Sequence, residues 1–357
     1  MDIRTGLSYG DVLLVPQRSP VDSRSNVSLT TNLTPNLELD APLLAAPMDT
    51  VTETDAAIAL AEMGGFGTIH RFMGIEEQAE QVRSVKNAGG LVGAAVGINE
   101  EFIDRTEATL EAGVDCIMVD VAHGHMDRCL DAVAEIKAEF PDAELVAGNV
   151  VTPEAVSDLY SAGADGVKVG VGPGSHCTTR KVAGAGVPQL TAVDDCSDRA
   201  AELGIPIVAD GGIRTSGDAV KALMAGADTV MMGSFFAGTE EAPGETVTVD
   251  GRTFKRSRGM ASTAANENRT DKDLTPDADE GIEGLTAYKG PLADETDTFL
   301  AGIRSGLSYC GGHDIPAARE NAEFIQVAPS AREREGAHSV FADVKTQEEK
   351  EALAPLQ

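Results

Sequence analysis

Gly166-Val-Lys-Val-Gly170-Val-Gly-Pro-Gly-Ser-His-Cys177-Thr-Thr-Arg180 is an apolar run that breaks into a glycine-rich loop carrying a cysteine, two threonines and an arginine. The order reads as strand, tight turn, reactive side chains. Glycine in such a turn lets the backbone come close to a ligand. The strand-then-polar pattern recurs along the chain. Strands are expected at residues 41–47, 64–69, 91–96, 114–119, 144–147, 166–169, 206–209 and 229–232. Helices are expected between them at 56–62, 75–87, 100–112, 126–139, 153–161, 195–202 and 216–225, with an irregular stretch from the cysteine loop to Leu190. Near-continuous apolar strands fit a parallel sheet covered on both faces. Repeated strand–helix units of this number predict an α/β fold, a closed (β/α)8 TIM barrel. A doubly wound sheet is the competing arrangement, but no strand leads into a G-x-G-x-x-G helix with an acidic partner downstream.

In a barrel the C-terminal strand ends hold the chemistry. Here they carry Met48-Asp49, His70, Asn99, Asp120, Asn149, Cys177, Asp210 and Gly233-Ser234. The last two strand ends are where barrels often bind phosphate. Ser175, Gly212 and Ser234 offer backbone N–H and hydroxyl donors there, and Asp210, an acceptor only, suits a ribose diol. Residues 245–258 read as a hairpin turning at Asp250-Gly251. The polar stretch from Gly259 has no clear period, so residues from about 245 to 290 are expected to form a mobile flap over the mouth. Helices at 292–304 and 316–322 and a strand at Phe324–Val327 form a C-terminal extension. The expected division is one catalytic barrel over 1–345 and a frayed acidic tail over 346–357.

The chain has 58 acidic and 28 basic side chains in 357 residues, a net charge of -30. That charge repels nucleic acid and anionic membrane, so neither is an expected partner. It suits a halophilic, very salty cytoplasm, where salt screens self-repulsion. Cys116, Cys129, Cys177, Cys196 and Cys310 form no C-x-x-C pair, which argues against a disulfide framework or structural zinc. Cys116, Cys129 and Cys196 read as buried core. The polar N-terminus and the absence of a membrane-length apolar run point to a soluble cytoplasmic protein.

Gly170–Arg180 with Gly186-Val-Pro-Gln-Leu190, Ala209-Asp-Gly-Gly-Ile213, Met231-Met-Gly-Ser234 and Arg258-Gly-Met260 resembles the inosine monophosphate dehydrogenase and guanosine monophosphate reductase family. Gly10–Pro16 and Ala46–Glu53 resemble its N-terminal segments. The likeness covers almost the whole chain. It implies a barrel that binds a purine nucleotide and assembles as a homotetramer or octamer. The regulatory CBS pair that many dehydrogenases insert after the second helix has no room here, because Ser84–Gly90 runs straight into the next strand. By resemblance, Cys177 is the nucleophile at purine C2, and Thr179 and Glu280 handle the leaving group. Ser175, Gly212, Gly233 and Ser234 match the phosphate site, and Asp210 matches the ribose ligand. Gly259 and Met260, with Glu280, match the purine edge. Asp120 and Asn149 match the cofactor side, and the carbonyls of Gly172, Gly174 and Cys177 match a potassium site.

The resemblance leaves three readings. The first is GMP reductase, with NADPH reducing GMP to IMP and ammonia through a cysteine–C2 adduct. The second is IMP dehydrogenase, with NAD and water giving XMP. The third is a catalytically silent, nucleotide-binding regulatory barrel. Loop spelling, Val119-Asp-Val-Ala122, and the lack between Gly259 and Glu280 of the Arg-Tyr pair with which dehydrogenases activate water all favour the reductase. His123-Gly-His125 and Ala331–His338 resemble dehydrogenases. Ser257 stands where the family usually has a phosphate-holding tyrosine. His176, beside the nucleophile, is unusual; it is a candidate for lowering the thiol pKa, although adjacent loop side chains often diverge.

Overall fold

The computed structural model describes residues 3–99, 101–262, 265 and 280–334. Strand β1 (Val12–Leu14) precedes an antiparallel hairpin of β2 (Thr31–Thr34) and β3 (Leu37–Leu39). Eight parallel strands then close on themselves: β4 (Leu43–Ala45), β5 (Phe66–Ile69), β6 (Val92–Val96), β7 (Cys116–Asp120), β8 (Leu145–Val150), β9 (Gly166–Val169), β10 (Ile207–Asp210) and β11 (Thr229–Met232). Closure comes from β11 against β4, in register Val230–Leu43, Met231–Leu44 and Met232–Ala45. These are the strands expected from the apolar runs. Every residue of β5, β6 and β11 is buried, as two covered faces require.

Alternate residues point into the barrel. Leu44, Phe66, Cys116, Met118, Val146, Val208 and Met231 pack there with Leu33 from the β2–β3 hairpin. That hairpin covers the N-terminal ends of the strands. Thr31 Oγ1 donates to the Asp228 carbonyl just before β11, and Asn36 bonds Glu144 just before β8. The second core lies between the barrel and its helices.

Helices Thr54–Glu62, Ile75–Asn87, Phe102–Glu111, Asp127–Glu139, Pro153–Ala162, Gln189–Leu203 and Ser216–Met224 alternate with the strands. Their starts are locally encoded. Thr152 accepts from the Ala155 N–H with Pro153 in the first turn, and Thr215 and Asp218 form a capping box. Ile75–Asn87 passes through Ala88–Gly90 directly into β6. Gln189–Leu203 begins six residues before the expected start at 195. Its buried face, Gln189, Leu190, Ala192, Val193 and Cys196, is interrupted in sequence by Asp194 and Asp195, which hid the period. A single turn, Thr179–Val182, also breaks the stretch expected to be irregular.

After β11, β12 (Thr246–Val249) and β13 (Arg252–Arg258) form the expected hairpin. Asp250 and Gly251 turn it at φ of 50° and 76°, the left-handed pair a two-residue hairpin needs. A third strand, β14 (Glu283–Ala287), pairs with β13 and was not expected; its Gly284 and short length weaken the strand signal. The flap expected over 245–290 is therefore, at both ends, part of an antiparallel sheet. Residues 263, 264 and 266–279, and the tail at 346–357, lie outside the described residues. Helices Leu292–Tyr309 and Ile315–Glu320 follow, and β15 (Phe324–Gln326) pairs with β1. No described helix is long and apolar enough to cross a membrane.

Candidate active site

The loop after β9 is shaped by glycine and held by one arginine. A Cβ on Gly170 would lie 2.3 Å from the Asp210 carbonyl oxygen, so only glycine lets this turn pass the neighbouring strand end. Arg180 fills the space beside Gly172 and donates to the carbonyls of Val171 (3.3 Å) and Val187 (2.5 Å). It thus fastens both limbs of the loop. The next residues run beside the chain leading into β14. The Ile282 N–H donates to the His176 carbonyl (2.9 Å), and the Thr178 N–H to the Glu280 carbonyl (2.8 Å). Cys177 and Gly281 face each other as an antiparallel bridge.

That stitching brings the cysteine, threonine and glutamate together. Cys177 is half-buried, with its sulfur 3.1 Å from Thr179 Oγ1. The Thr179 hydroxyl donates to Glu280 Oε2 at 2.7 Å, across 101 positions of sequence. With its proton committed to the carboxylate, the threonine oxygen is free to accept from the thiol. The three form a line along which a proton can pass.

A second cluster lies below. Lys168, 1% exposed in β9, donates to Asp120 Oδ1 (2.6 Å), Asp210 Oδ2 (2.7 Å) and Asn149 Oδ1. Burial pushes the lysine pKa down, but the two carboxylates outweigh it and hold the value above the ordinary lysine range. Asn149 Nδ2 donates to the Gly170 carbonyl (2.7 Å) and to Asp210 Oδ2 (2.8 Å). Both amide protons of Asn149 are therefore used within the protein. Lys168 was missed from sequence as a site residue. Its signal was present: a charge in a strand expected to be buried on both faces.

The proposed phosphate-end residues are less tightly linked. Gly212, at φ 77°, packs against Pro173 and Gln189, and a Cβ on Gly233 would strike the Met48 sulfur at 2.7 Å. Ser234, next to it, is half-buried. The Ser175 hydroxyl is exposed and, among the described residues, bonds His176 Nδ1 (3.1 Å). His176 Nε2 lies 2.9 Å from Ser257 Oγ, and Ser257 bonds Thr286 at 2.8 Å. The imidazole thus turns to the sheet rather than to the thiol, and burial lowers its pKa. Arg258, at the end of β13, grips Asp49 at the end of the β4 loop, Nε to Oδ2 at 2.9 Å.

A cavity of about 880 Å3 opens at the strand ends. Asp120, Asn149, Gly172, Gly174, Cys177, Thr179, Asp210 and Met260 line it. Gly259 and Glu280 sit beside it, the Gly259 N–H donating to the Ile282 carbonyl (3.0 Å) and the Glu280 N–H to that of the lining residue Ala261 (3.2 Å). Its far side is formed by Arg71, Ile98, Val121, Met126 and Arg128. The volume suits a nucleotide-sized ligand with room beyond it. His70 is buried and bonds Glu53 (3.2 Å) and the Phe72 N–H (3.2 Å), so it faces structure rather than ligand. Cys129 and Cys196 are core residues whose thiols burial pushes up to about 11 and about 12. Cys116 is buried as well. No group of three or more His, Cys, Asp or Glu side chains able to hold a metal occurs among the described residues.

Residues 6–338 match the family model described as IMP dehydrogenase / GMP reductase domain. The inosine-5'-monophosphate dehydrogenase of Nitrosopumilus maritimus (strain SCM1) is 36% identical, with 96% of this chain and 100% of that protein covered. The GMP reductase of Leishmania major is 35% identical, with 94% and 97% covered. Both alignments are longer than the chain itself, so each relative carries residues with no counterpart here. Among solved structures, a cysteine-to-alanine variant of GMP reductase from Trypanosoma brucei in complex with guanosine 5'-monophosphate superposes with a TM-score of 0.90 at 32% identity. It covers 95% of this chain and 99% of that one.

Proposed function

The chain belongs to the IMP dehydrogenase / GMP reductase family, and we propose that it is a GMP reductase, converting GMP to IMP and ammonia with NADPH. The observation that carries this reading is the Cys177–Thr179–Glu280 line, 3.1 and 2.7 Å, in a chain with no Arg-Tyr pair between Gly259 and Glu280 to activate water. The likeness to the Trypanosoma brucei reductase supports it.

The chemistry follows from the residues. Cys177 sulfur adds to C2 of the purine. Its proton passes through the Thr179 hydroxyl to Glu280 and returns to the C2 amino group, which leaves as ammonia. A reduced nicotinamide, when bound, supplies the hydride that C2 takes. The C–S bond then breaks, the electron pair returns to sulfur, and the thiolate takes up one proton from solvent to restore the thiol that began the cycle. Asp210 keeps Oδ1 available for the nucleotide's ribose. Ser175, Gly212, Gly233 and Ser234 hold the phosphate, and Gly259 and Met260 meet the purine edge. The far side of the cavity fits the dinucleotide: apolar Ile98, Val121 and Met126 accept a flat ring, while Arg71 and Arg128 supply positive charge for phosphates. Asp120 serves that side, and Asn149 supports the cluster between the two ligands, accepting from Lys168 and donating to Asp210.

The Gly172, Gly174 and Cys177 carbonyls share a turn closed by the Cys177 N–H donating to Gly174 O at 3.1 Å, and these oxygen donors suit a potassium ion. The assembly is a homotetramer or octamer.

Purified protein in molar potassium chloride is expected to consume NADPH when given GMP, releasing IMP and ammonia one for one. The dehydrogenase reading is favoured by relatives such as that of Borreliella burgdorferi, 40% identical. NADH formation from IMP and NAD, without NADPH consumption, would assign that direction instead. Nucleotide binding with turnover in neither direction would leave the silent regulatory barrel.

A further inference from the structure

Lys168 reaches across the barrel. Strand order β7-β8-β9-β10 separates Asp120, at the end of β7, from Asp210, at the end of β10. The lysine on β9 bonds both, and Asn149 on β8 completes its three donors. A buried ammonium is stable only when so paired. Each carboxylate commits one oxygen to the lysine. Asp120 Oδ2 and Asp210 Oδ1 have no partner among the described residues, and both side chains are partly exposed at the cavity. Two acceptors on two sides of one cleft are thus aimed by a single cation.

We propose that Lys168 is a positioning residue that sets both half-sites at once, fixing Asp210 for the nucleotide's ribose and Asp120 for a ribose of the dinucleotide. This rests on the reading that both ligands share the cavity. Without the cation, two carboxylates face one cleft with no counter-charge, and each loses the bond that fixes its rotamer. Removing one carboxylate as well relieves the repulsion for the other. The two half-sites should therefore recover separately.

The experiment is equilibrium binding by calorimetry on the full chain in molar potassium chloride. Lys168→Met is expected to weaken GMP and NADPH each by about tenfold or more. Lys168→Met with Asp120→Asn should regain part of the GMP affinity, since the repulsion is gone while the lysine's bond to Asp210 is not restored and only that from Asn149 remains, and NADPH should stay weak. Lys168→Met with Asp210→Asn should do the reverse. If the methionine variant does not fold, Lys168→Gln with the same two partners replaces it. Unchanged affinity for either ligand in the single variant overturns the proposal. So does failure of both doubles to recover anything, which is the mark of a purely structural lysine. IMP and NAD are measured alongside. A dehydrogenase would return the same crossed pattern with that pair, so failure of the reductase reading is distinguishable from failure of the lysine's role.

Discussion

His176 Nε2 lies 2.9 Å from the Ser257 hydroxyl, a contact between the residue preceding the nucleophile and the C-terminal end of β13, 81 positions away. It joins the two residues that the resemblance marks as unusual, and Ser257 passes the connection on to Thr286 of β14. The cysteine loop is thus tied to the sheet by a side chain as well as by its backbone.

Breaking this tie should affect binding more than chemistry. His176→Phe is expected to raise the nucleotide KM about tenfold, the usual scale for a lost bond at a charged ligand's site, with kcat little changed. His176→Gln, which keeps a donor and an acceptor, should recover most of the loss. Steady-state kinetics with GMP would check both, and an unchanged KM in the phenylalanine variant counts against the tie.

Acid should loosen the same contact. Burial holds the folded His176 pKa below its ordinary value of about 6.5. Its contribution to stability is therefore fully present above the unfolded-state value and is lost as the pH falls through it toward the folded-state one. Thermal melts between about pH 7 and pH 5 should show a steeper drop for the wild type than for His176→Gln. Parallel curves would argue that other groups govern the acid limb.

The proton line gives a third outcome. Cys177→Ser should abolish turnover while leaving GMP binding measurable. Thr179→Val and Glu280→Gln should each lower kcat by about 10²- to 10⁴-fold. Combining them should cost little more than either alone, since they act in series. Additive losses would mean independent roles.

The sheet's anchor can be tested by stability. The Asp49 side chain is 7% exposed, so removing the Arg258 guanidinium leaves its carboxylate in a poorly hydrated place. Arg258→Ala is expected to cost about 3 kcal/mol. Hydrogen exchange should report the loss first in β13 and β14, and protection there equal to the wild type would exclude the anchor role.

The barrel was legible because its strands are buried on both faces and therefore read as short apolar runs. The β2–β3 hairpin was not: Thr31, Asn32 and Thr34 look like loop, although Thr31 and Thr34 are buried against the barrel's underside. β14 was hidden by Gly284 and by half-exposed side chains. In the site, the order of polar strand ends marked Asp120, Asn149, Cys177 and Asp210, which line one cavity. Glu280 had no local signal, because its place depends on a backbone bridge between Cys177 and Gly281. It came only from the resemblance. Lys168 shows the opposite case: one charge among valines was visible, but its three partners come from three other strands and no spacing reveals them.

Leu33 closes the bottom of the barrel. The cleft is therefore a cul-de-sac with its mouth at the strand ends, so a ligand that reaches Cys177 enters and leaves by that side alone. The hairpin at the far end of the molecule contributes by keeping the other end of the barrel shut, remote from any reacting atom.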